Sequence, residues 1–239
     1  MSEPKRHSLA LLCPTRGRPE RMQTFVDSVF ATARHPERIE ILLYVDDDDP
    51  TRADYERAFA TRPGVTVFQG ASIGVPQSVN RLLERTTADI LLTANDDQVY
   101  IDKGWDTRID QEALARPDGI YCLWFNDGWE AQNFCTFPIV SRRWVETLGY
   151  LQFPFFEHFF ADAWIWMLAK SVDRAVFISD LLVEHRHWKT KKAERDTTYE
   201  RHATKDGDSR HTRDRAVIDR FERYFHADVA ALQRAIDEP

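Results

Sequence analysis

The chain has 239 residues and a formal net charge of −7, with 43% hydrophobic and 30% charged residues. This composition predicts one large globular domain, or a domain with a small appendage, and argues against a generally basic surface for nucleic acid. Cys13, Cys122 and Cys135 have no CxxC spacing and no even count, so neither a disulfide framework nor a zinc ribbon is supported. The apolar stretch 9–13 is too short for a signal sequence or a membrane span, and we expect a cytoplasmic protein without a membrane partner.

Apolar runs that suit strands alternate with helical patterns in the first hundred residues. The predicted strands are 9–13, 39–45, 65–68 and 90–94. Helical patterns follow Pro19 and Pro50, and a third helix carries Val79, Leu82 and Leu83. This succession predicts an α/β fold with a mostly parallel sheet, right-handed crossovers, and ligand-binding loops at the carboxyl ends of the strands.

The most informative loop is 95–97, which directly follows the apolar run 89–94. Its sequence is Asn95-Asp96-Asp97. Carboxylates at the end of a buried strand are how an α/β sheet presents oxygen ligands to Mg²⁺ or Mn²⁺, which in turn hold nucleotide phosphates. The alternative is an acidic turn that caps the next helix.

Two further loops lie at predicted strand ends. In loop 14–19, two arginines can face a phosphate or a base, but neither GxxxxGK[ST] nor GxGxxG is present, which disfavours the common nucleotide-triphosphate and dinucleotide folds. Loop 46–49 holds four aspartates, of which Asp49 should cap the helix after Pro50. Another could accept the imide N–H of a uracil or bind a ribose hydroxyl, and the rest could simply be solvated.

Together these loops resemble those of the GT-A glycosyltransferases, particularly the large family-two type, over roughly residues 8 to 190. The resemblance implies a GT-A fold, a nucleotide-diphosphate sugar as donor, for which we expect a UDP-sugar, and Mn²⁺ or Mg²⁺ bound by Asp97. It departs from the family at Asn95, where many members have Asp. The donor-binding residues that it implies are Pro14, Thr15, Arg16, Asp46, Asp47, Asn80, Asn95 and Asp96.

The second half continues this resemblance. The pattern of residues 137–149 predicts a strand that leads into a helix, at a position where the family lines its acceptor cleft. Residues 156–166 resemble the start of the family's helix that carries a Glu-Asp pair. On this alignment Asp162 is the catalytic base of an inverting transferase, and Glu157 is the competing base. The aromatic residues around Asp162 should raise its pKa. The structural alternative is an ordinary acid at a helix start beside an aromatic core.

Two histidines follow the apolar run 181–183. If the strand continues, His185 and His187 share one face. The family often supplies one late histidine to the same cation; His185 resembles it and His187 is the alternate. Zinc suits such an oxygen-rich diphosphate site less well than Mn²⁺ or Mg²⁺.

The C-terminal part is polar and then amphipathic. Residues 189–199 could form a lid over the donor, with Lys191, Lys192 and Arg195 as its test positions, or simply a disordered connection. An amphipathic helix over 216–236 should pack on the body of the protein. We therefore divide the chain into a GT-A domain, 1–190, and a C-terminal extension, 191–239.

The acceptor is expected to be a hydroxyl group. The short, single-domain layout and the run 42–51 resemble small phage-type transferases, some of which glycosylate hydroxymethylated pyrimidines in DNA and which would act in a host cytoplasm. A flipped base would suit an aromatic cleft that contains Trp124, Phe125 and Trp129. Segment 184–223, with 12 Lys and Arg against 9 Asp and Glu, would suit DNA phosphates. The alternatives are a saccharide or small-molecule acceptor, a nucleotidyltransferase, and a protein that only binds nucleotide-sugars. The acceptor-binding candidates are Trp124, Asn126, Asp127 and Trp129.

Overall fold

The computed structural model describes residues 6–196, 200 and 209–238, and this part of the chain forms eight strands and eight α-helices. The strands are β1 Leu9–Thr15, β2 Ile39–Asp46, β3 Val65–Gly70, β4 Ile90–Thr93, β5 Gln98–Tyr100, β6 Cys122–Asn126, β7 Ile139–Ser141 and β8 Ala175–His185. The helices are α1 Pro19–Thr32, α2 Arg52–Phe59, α3 Val75–Leu83, α4 Trp105–Leu114, α5 Arg142–Leu148, α6 Ala161–Ser171, α7 Arg210–Arg220 and α8 Glu222–Asp237.

The strands form one sheet in the order β3-β2-β1-β4-β7-β6-β8-β5. The first four are parallel, β7 is antiparallel to both of its neighbours, and β5 pairs antiparallel with the end of β8. The prediction of a mostly parallel α/β sheet flanked by helices is therefore confirmed. The chain order reverses between β1 and β4, and such a reversal opens a crevice for ligands at the carboxyl ends of parallel strands.

The central strands β1 and β4 are buried on both faces of the sheet, and their alternate residues point to opposite sides. In β1, Leu9 and Leu11 pack on the side of α1, α2 and α4, whereas Ala10 and Leu12 pack on the side of α3, α5, α6 and α8. The unbroken apolar run of β1 thus reflects a central parallel strand. Full burial of a leucine side chain contributes about 2 kcal/mol to folding, so these residues stabilise the strand between its two layers of helices.

The C-terminal extension differs from the predicted single helix. Two helices, α7 and α8, meet at Phe221, which leaves the helical conformation with φ of −108°. Leu232 of α8 is fully buried in the core beneath α5 and α6, and Phe225 lies 5.1 Å from the ring of Trp164. Parts of the predicted lid and of the 191–239 extension, namely 197–199, 201–208 and 239, lie outside the described residues. Within the described ranges, no helix is both long and apolar enough to cross a membrane.

Candidate functional site

The loops after β1 and β4 are joined through Asp96, which is buried. Thr15 Oγ1 donates a hydrogen bond to Asp96 Oδ2 at 2.8 Å, and Arg18 Nη1 donates to Asp96 Oδ1 at 2.8 Å. Burial raises the pKa of Asp96, against the effect of the Arg18 guanidinium. Asn95 is exposed and forms a turn in which its N–H donates to Gln98 Oε1 at 3.0 Å. Asp96 therefore braces the first loop, while the neighbouring Asp97 points to a different partner.

The loop after β2 is tied to the same first loop by its aspartates. Asp46 Oδ2 lies 3.0 Å from Arg16 Nη1 and also accepts from Ser72 Oγ at 2.9 Å. Asp47 is exposed beside them, and Pro14 contributes to the half-buried end of β1. These side chains form the mouth of the crevice, where a nucleoside could be held.

Asp49 does not have the predicted role of helix cap. Helix α2 begins at Arg52 with Thr51 in the capping position. Asp49 is fully buried; its Oδ2 accepts from the Gly17 N–H at 2.8 Å and its Oδ1 from the Thr51 N–H at 2.8 Å. It therefore links the first two loops, which keeps both at the edge of the crevice.

Asp97 and His185 meet because β5 and β8 are adjacent in the sheet. The register pairs Gln98 with His185, and the N–H of Arg186 donates to the carbonyl oxygen of Asp97 at 2.7 Å. Asp97 Oδ2 lies 3.3 Å from His185 Nε2, and both side chains are buried. On the other side of the imidazole, Asp127 Oδ2 lies 3.8 Å from His185 Nδ1. Burial opposes the charged imidazole, but these two carboxylates outweigh it and raise the pKa of His185 to about 9.

This pair fits a divalent cation. Neighbouring ligands of an octahedral ion with bonds of about 2.1 Å lie about 3 Å apart, close to the observed separation of Asp97 and His185. The carboxylate, with phosphate and water oxygens beside it, suits Mn²⁺ or Mg²⁺, and Asp127 lies 3.8 Å behind the imidazole, on the side from which a carboxylate orients such a ring. In the part of the chain that the structure describes, no group of three or more His, Cys, Asp or Glu is arranged to hold a metal ion. Asp97 and His185 would therefore hold the cation together with phosphate oxygens of a bound donor and water.

His187 occupies a different position from the one that a continued strand implies. Strand β8 ends at His185, and His187 begins the short 3-10 turn Trp188–Thr190. Its ring stacks on Trp129 at 5.2 Å between centroids, and its Nδ1 accepts from the Lys189 N–H at 3.2 Å. Burial lowers its pKa to about 4, so the ring is neutral near pH 7.

The two candidate bases differ in their surroundings. Asp162 is the second residue of α6, and its Oδ1 accepts from the Ala163 N–H at 2.8 Å. Burial raises the pKa of Asp162 to about 6, although hydrogen bonds and the charge of His185 oppose this. Glu157 is half exposed and bound by Arg213 through two hydrogen bonds of 2.7 and 2.8 Å, which lowers its pKa. Asp162 is therefore the more basic carboxylate.

The aromatic cleft proposed for the acceptor is largely core. Trp124 is 6% exposed and its Nε1 donates to the carbonyl oxygen of Ala131 at 2.9 Å, so it does not line a cleft. Asp127 is likewise engaged within the protein: burial alone would raise its pKa, but the His185 imidazole 3.8 Å away and hydrogen bonds from the N–H groups of Trp129 and Ala131 lower it to about 2. Asn126 is partly buried and accepts a backbone hydrogen bond at 2.9 Å. Trp129, by contrast, is 39% exposed beside His185 and His187.

Asn80 is engaged with the chain itself. Its Nδ2 donates to the carbonyl oxygen of Gln152 at 2.7 Å, and its Oδ1 accepts from the N–H groups of Leu151 and Gln152 at 3.1 Å. This geometry supports the loop before α6 instead of the predicted donor contact.

The segment after β8 lies over the first loop. Lys192 Nζ is 2.8 Å from Glu184 Oε1, Arg195 lies over the ring of Trp188 at 5.3 Å, and Lys191 has a left-handed φ of 59°. The contact that sequence reasoning missed involves Asp196, whose two oxygens accept from Nε and Nη2 of Arg18 at 2.8 Å each. Asp196 belongs to a run of mixed charges with no local signal that distinguishes it.

Comparison with known proteins shows the family and the fold. The sequence model of glycosyl transferase family 2 matches residues 11–177. The fold is similar to that of the mannosyltransferase PcManGT from Pyrobaculum calidifontis, solved in complex with GDP-Man and Mn²⁺, with a TM-score of 0.60 and 14% identity over 98% of this chain and 74% of that one.

A second similar fold is that of S. aureus TarS. Its 1–349 fragment in complex with UDP gives a TM-score of 0.59 and 14% identity over 74% of this chain and 59% of that one. The same fragment in complex with UDP-GlcNAc gives a TM-score of 0.55 and 14% identity, with 75% and 59% of the two chains covered. This chain therefore spans less than two thirds of that fragment. The curated proteins gave no significant match to this sequence.

Proposed function

The chain belongs to glycosyl transferase family 2, and on that premise we propose that it moves a sugar from a nucleotide-diphosphate sugar to a hydroxyl acceptor, with inversion and with a divalent cation. The observation that carries this proposal is the pairing of Asp97 with His185 at 3.3 Å, at the end of the sheet where the three loops converge. Asp162, whose carboxylate is within electrostatic reach of His185, completes the arrangement as the general base.

The donor would lie in the crevice above β1, β2 and β4. Arg16 and Asp46 stand at its mouth, and Thr15 lies deeper against Asp96, so the nucleoside would enter beside the first two. We propose a UDP-sugar as the first donor to test and a GDP-sugar as the second. The similar structures support both, since one contains GDP-Man with Mn²⁺ and the other UDP or UDP-GlcNAc.

The reaction requires one proton transfer and one displacement. The acceptor oxygen attacks the anomeric carbon of the sugar while its proton passes to the Asp162 carboxylate, and the bond from that carbon to the diphosphate breaks. When bound, the cation neutralises charge that develops on the leaving nucleoside diphosphate. A carboxylate with a pKa of about 6 is deprotonated at pH 7.5 yet more basic than an ordinary Asp, as a general base needs.

For the acceptor, we propose a saccharide hydroxyl in preference to a hydroxymethylated pyrimidine in DNA. A flipped base is held between two aromatic or apolar faces, but Trp124 and Phe125 are core residues. Trp129 presents one exposed ring, which is the arrangement on which one face of a sugar ring can rest. The basic stretch 184–223 is described only in part, so DNA enters the acceptor screen as the second class.

The donor site is tested by thermal shift and calorimetry with UDP, GDP, CDP and dTDP, each with and without Mn²⁺. We expect one of them to stabilise the protein only with Mn²⁺, since a ligand that binds the native state raises its stability. Asp97→Asn should remove this effect, whereas Asp219→Asn, an exposed substitution on α7, should keep it. Equal binding by the wild type and Asp97→Asn would contradict the metal assignment.

The reaction class is tested by product analysis with the donor so identified. Release of the nucleoside diphosphate together with a glycosylated acceptor supports the proposal. Release of pyrophosphate would instead show nucleotidyl transfer, and tight binding without turnover of any saccharide or DNA acceptor would show a nucleotide-sugar-binding protein.

A further inference from the structure

Asp214 is a buried carboxylate that the proposed reaction does not use. It lies on α7, beyond residue 177, where the match to the family model ends, and it is 1% exposed. Its Oδ1 accepts from the N–H of Glu157 at 2.7 Å, and its Oδ2 accepts from the N–H groups of His158 and Phe159 at 2.9 and 2.7 Å. Three successive peptide groups of one loop therefore converge on a single carboxylate.

This loop leads directly into the helix that carries Asp162. Phe160 is the N-cap of α6 and has a left-handed φ of 65°, a conformation that non-glycine residues rarely adopt and that the surroundings must maintain. Asp162 follows two residues later. The position of its carboxylate thus depends on how the chain enters the helix, and Asp214 holds that entry.

The opposite side of the loop contacts the start of α3. The carbonyl oxygen of Glu157 accepts from the N–H of Val75 at 3.2 Å at the start of α3. A Cβ at Gly74 would lie 2.8 Å from that oxygen, so the backbones approach as near as a glycine permits. The loop is therefore clamped between α3 on one side and α7 on the other, and it has little freedom while both contacts are in place.

We propose that Asp214 is a positioning residue that fixes the entry to α6 and thereby places Asp162 for proton transfer; this inference rests on the proposed function. Helix α7 of the C-terminal extension then contributes to the reaction by positioning its base. Misplacement of a reacting group by about 1 Å can cost on the order of 100-fold in rate, so a contact remote from the chemistry can control turnover.

The test compares wild type, Asp214→Asn, Asp162→Asn and Asp219→Asn, the last an exposed change of the same kind on the same helix. In Asp214→Asn the amide offers one acceptor oxygen and turns an NH₂ group toward peptide N–H donors. Hydrogen–deuterium exchange of residues 157–159 measures the hold on the loop. A ¹³C-NMR titration of the Asp162 carboxyl reports the surroundings of this group in the absence of a nucleotide-sugar. The titratable neighbours of Asp162 are His185 and Cys135. Binding of UDP and GDP with Mn²⁺, and release of UDP or GDP from UDP-GlcNAc and GDP-Man in water, complete the set.

We expect Asp214→Asn to exchange the amides of 157–159 at least about tenfold faster, because opening free energy sets the exchange rate. The titration midpoint of Asp162 should move toward that of an exposed Asp. The affinity for the nucleoside diphosphate should stay within about twofold while turnover falls about tenfold. A misplaced Asp162 weakens stabilisation of the transition state and leaves nucleotide binding unchanged. Asp219→Asn should match wild type in all four measurements.

Unchanged exchange in a folded Asp214→Asn variant would overturn the inference, and so would faster exchange with an unchanged Asp162 titration. If Asp214→Asn does not fold, Asp214→Glu, which keeps the charge but is one methylene longer, takes its place under the same criteria. Failure of the proposed function is recognised separately. In that case wild type and Asp162→Asn release nucleoside diphosphate equally, whatever Asp214→Asn does, and the role assigned to Asp214 falls with it.

Discussion

Replacing Asp162 by Asn should make the protein more stable at neutral pH. Burial raises the pKa of Asp162 from 3.8 in the free side chain to about 6 in the fold. One pKa unit corresponds to about 1.4 kcal/mol, so keeping this carboxylate charged costs the folded state about 3 kcal/mol above pH 6. Asn removes the charge and retains an oxygen that can accept from the Ala163 N–H.

The pH dependence of this effect follows from proton binding. Between about pH 4 and pH 6 the folded state holds a proton on Asp162 that the unfolded chain has released, so stability falls as pH rises through this window. Below it, both states are protonated and Asp162 resembles a neutral Asn. The stability difference between Asp162→Asn and wild type should therefore be close to zero near pH 3.5 and full above pH 7.

The assay is urea denaturation in EDTA at pH 3.5, 5 and 7.5, with Asp219→Asn as the exposed control. At pH 7.5 we expect a gain of about 3 kcal/mol in the free energy of unfolding, or about 6–12 °C in Tm for a chain of this size. The same variant should lose transferase activity, because the buried charge that lowers stability is the one that the reaction needs. A loss of stability at pH 7.5, or a stability difference that does not change with pH, would contradict the assignment of Asp162 as a buried carboxylate with a raised pKa.

Three further outcomes follow from the contacts. Asp127→Asn should weaken Mn²⁺ binding in the presence of UDP or GDP by about 10–100-fold, measured by calorimetry, because the carboxylate behind His185 is lost; unchanged affinity would contradict this. Asp196→Asn should speed tryptic cleavage after Lys192 severalfold, since the two 2.8 Å contacts with Arg18 hold that segment on the first loop; an unchanged cleavage rate would show that they do not. Asp106→Ala should cost about 3–5 kcal/mol in urea denaturation, because this fully buried carboxylate pairs with Arg38 at 3.1 Å and accepts from the N–H groups of Arg34 and His35, which would lose their acceptor; a cost below 1 kcal/mol would contradict that estimate.

Much of the fold was predictable from local pattern. The four predicted strands at 9–13, 39–45, 65–68 and 90–94 match β1 to β4 to within two residues at each end. A central parallel strand buries both faces and therefore reads as an unbroken apolar run. The loops that follow such strands must meet at one edge, so the first three candidate loops could be placed together without coordinates. Element boundaries were harder to predict where the chain changes direction. The break between α7 and α8 at Phe221, for example, has no glycine or proline to mark it.

Periodicity and short motifs were enough to predict the parallel α/β core, the meeting of the loops after β1, β2 and β4, and the family. Which polar groups face the crevice and which serve the fold depends on tertiary packing. Asn80 hydrogen-bonds to the backbone of residues 151–152, and Trp124 lies in the core. Asp214 accepts from the backbone of residues 157–159, which are 55 to 57 positions away in the chain. An acid or amide has the same local signature whether it binds a ligand or a distant backbone N–H. Only the partner brought to it by long-range packing distinguishes the two.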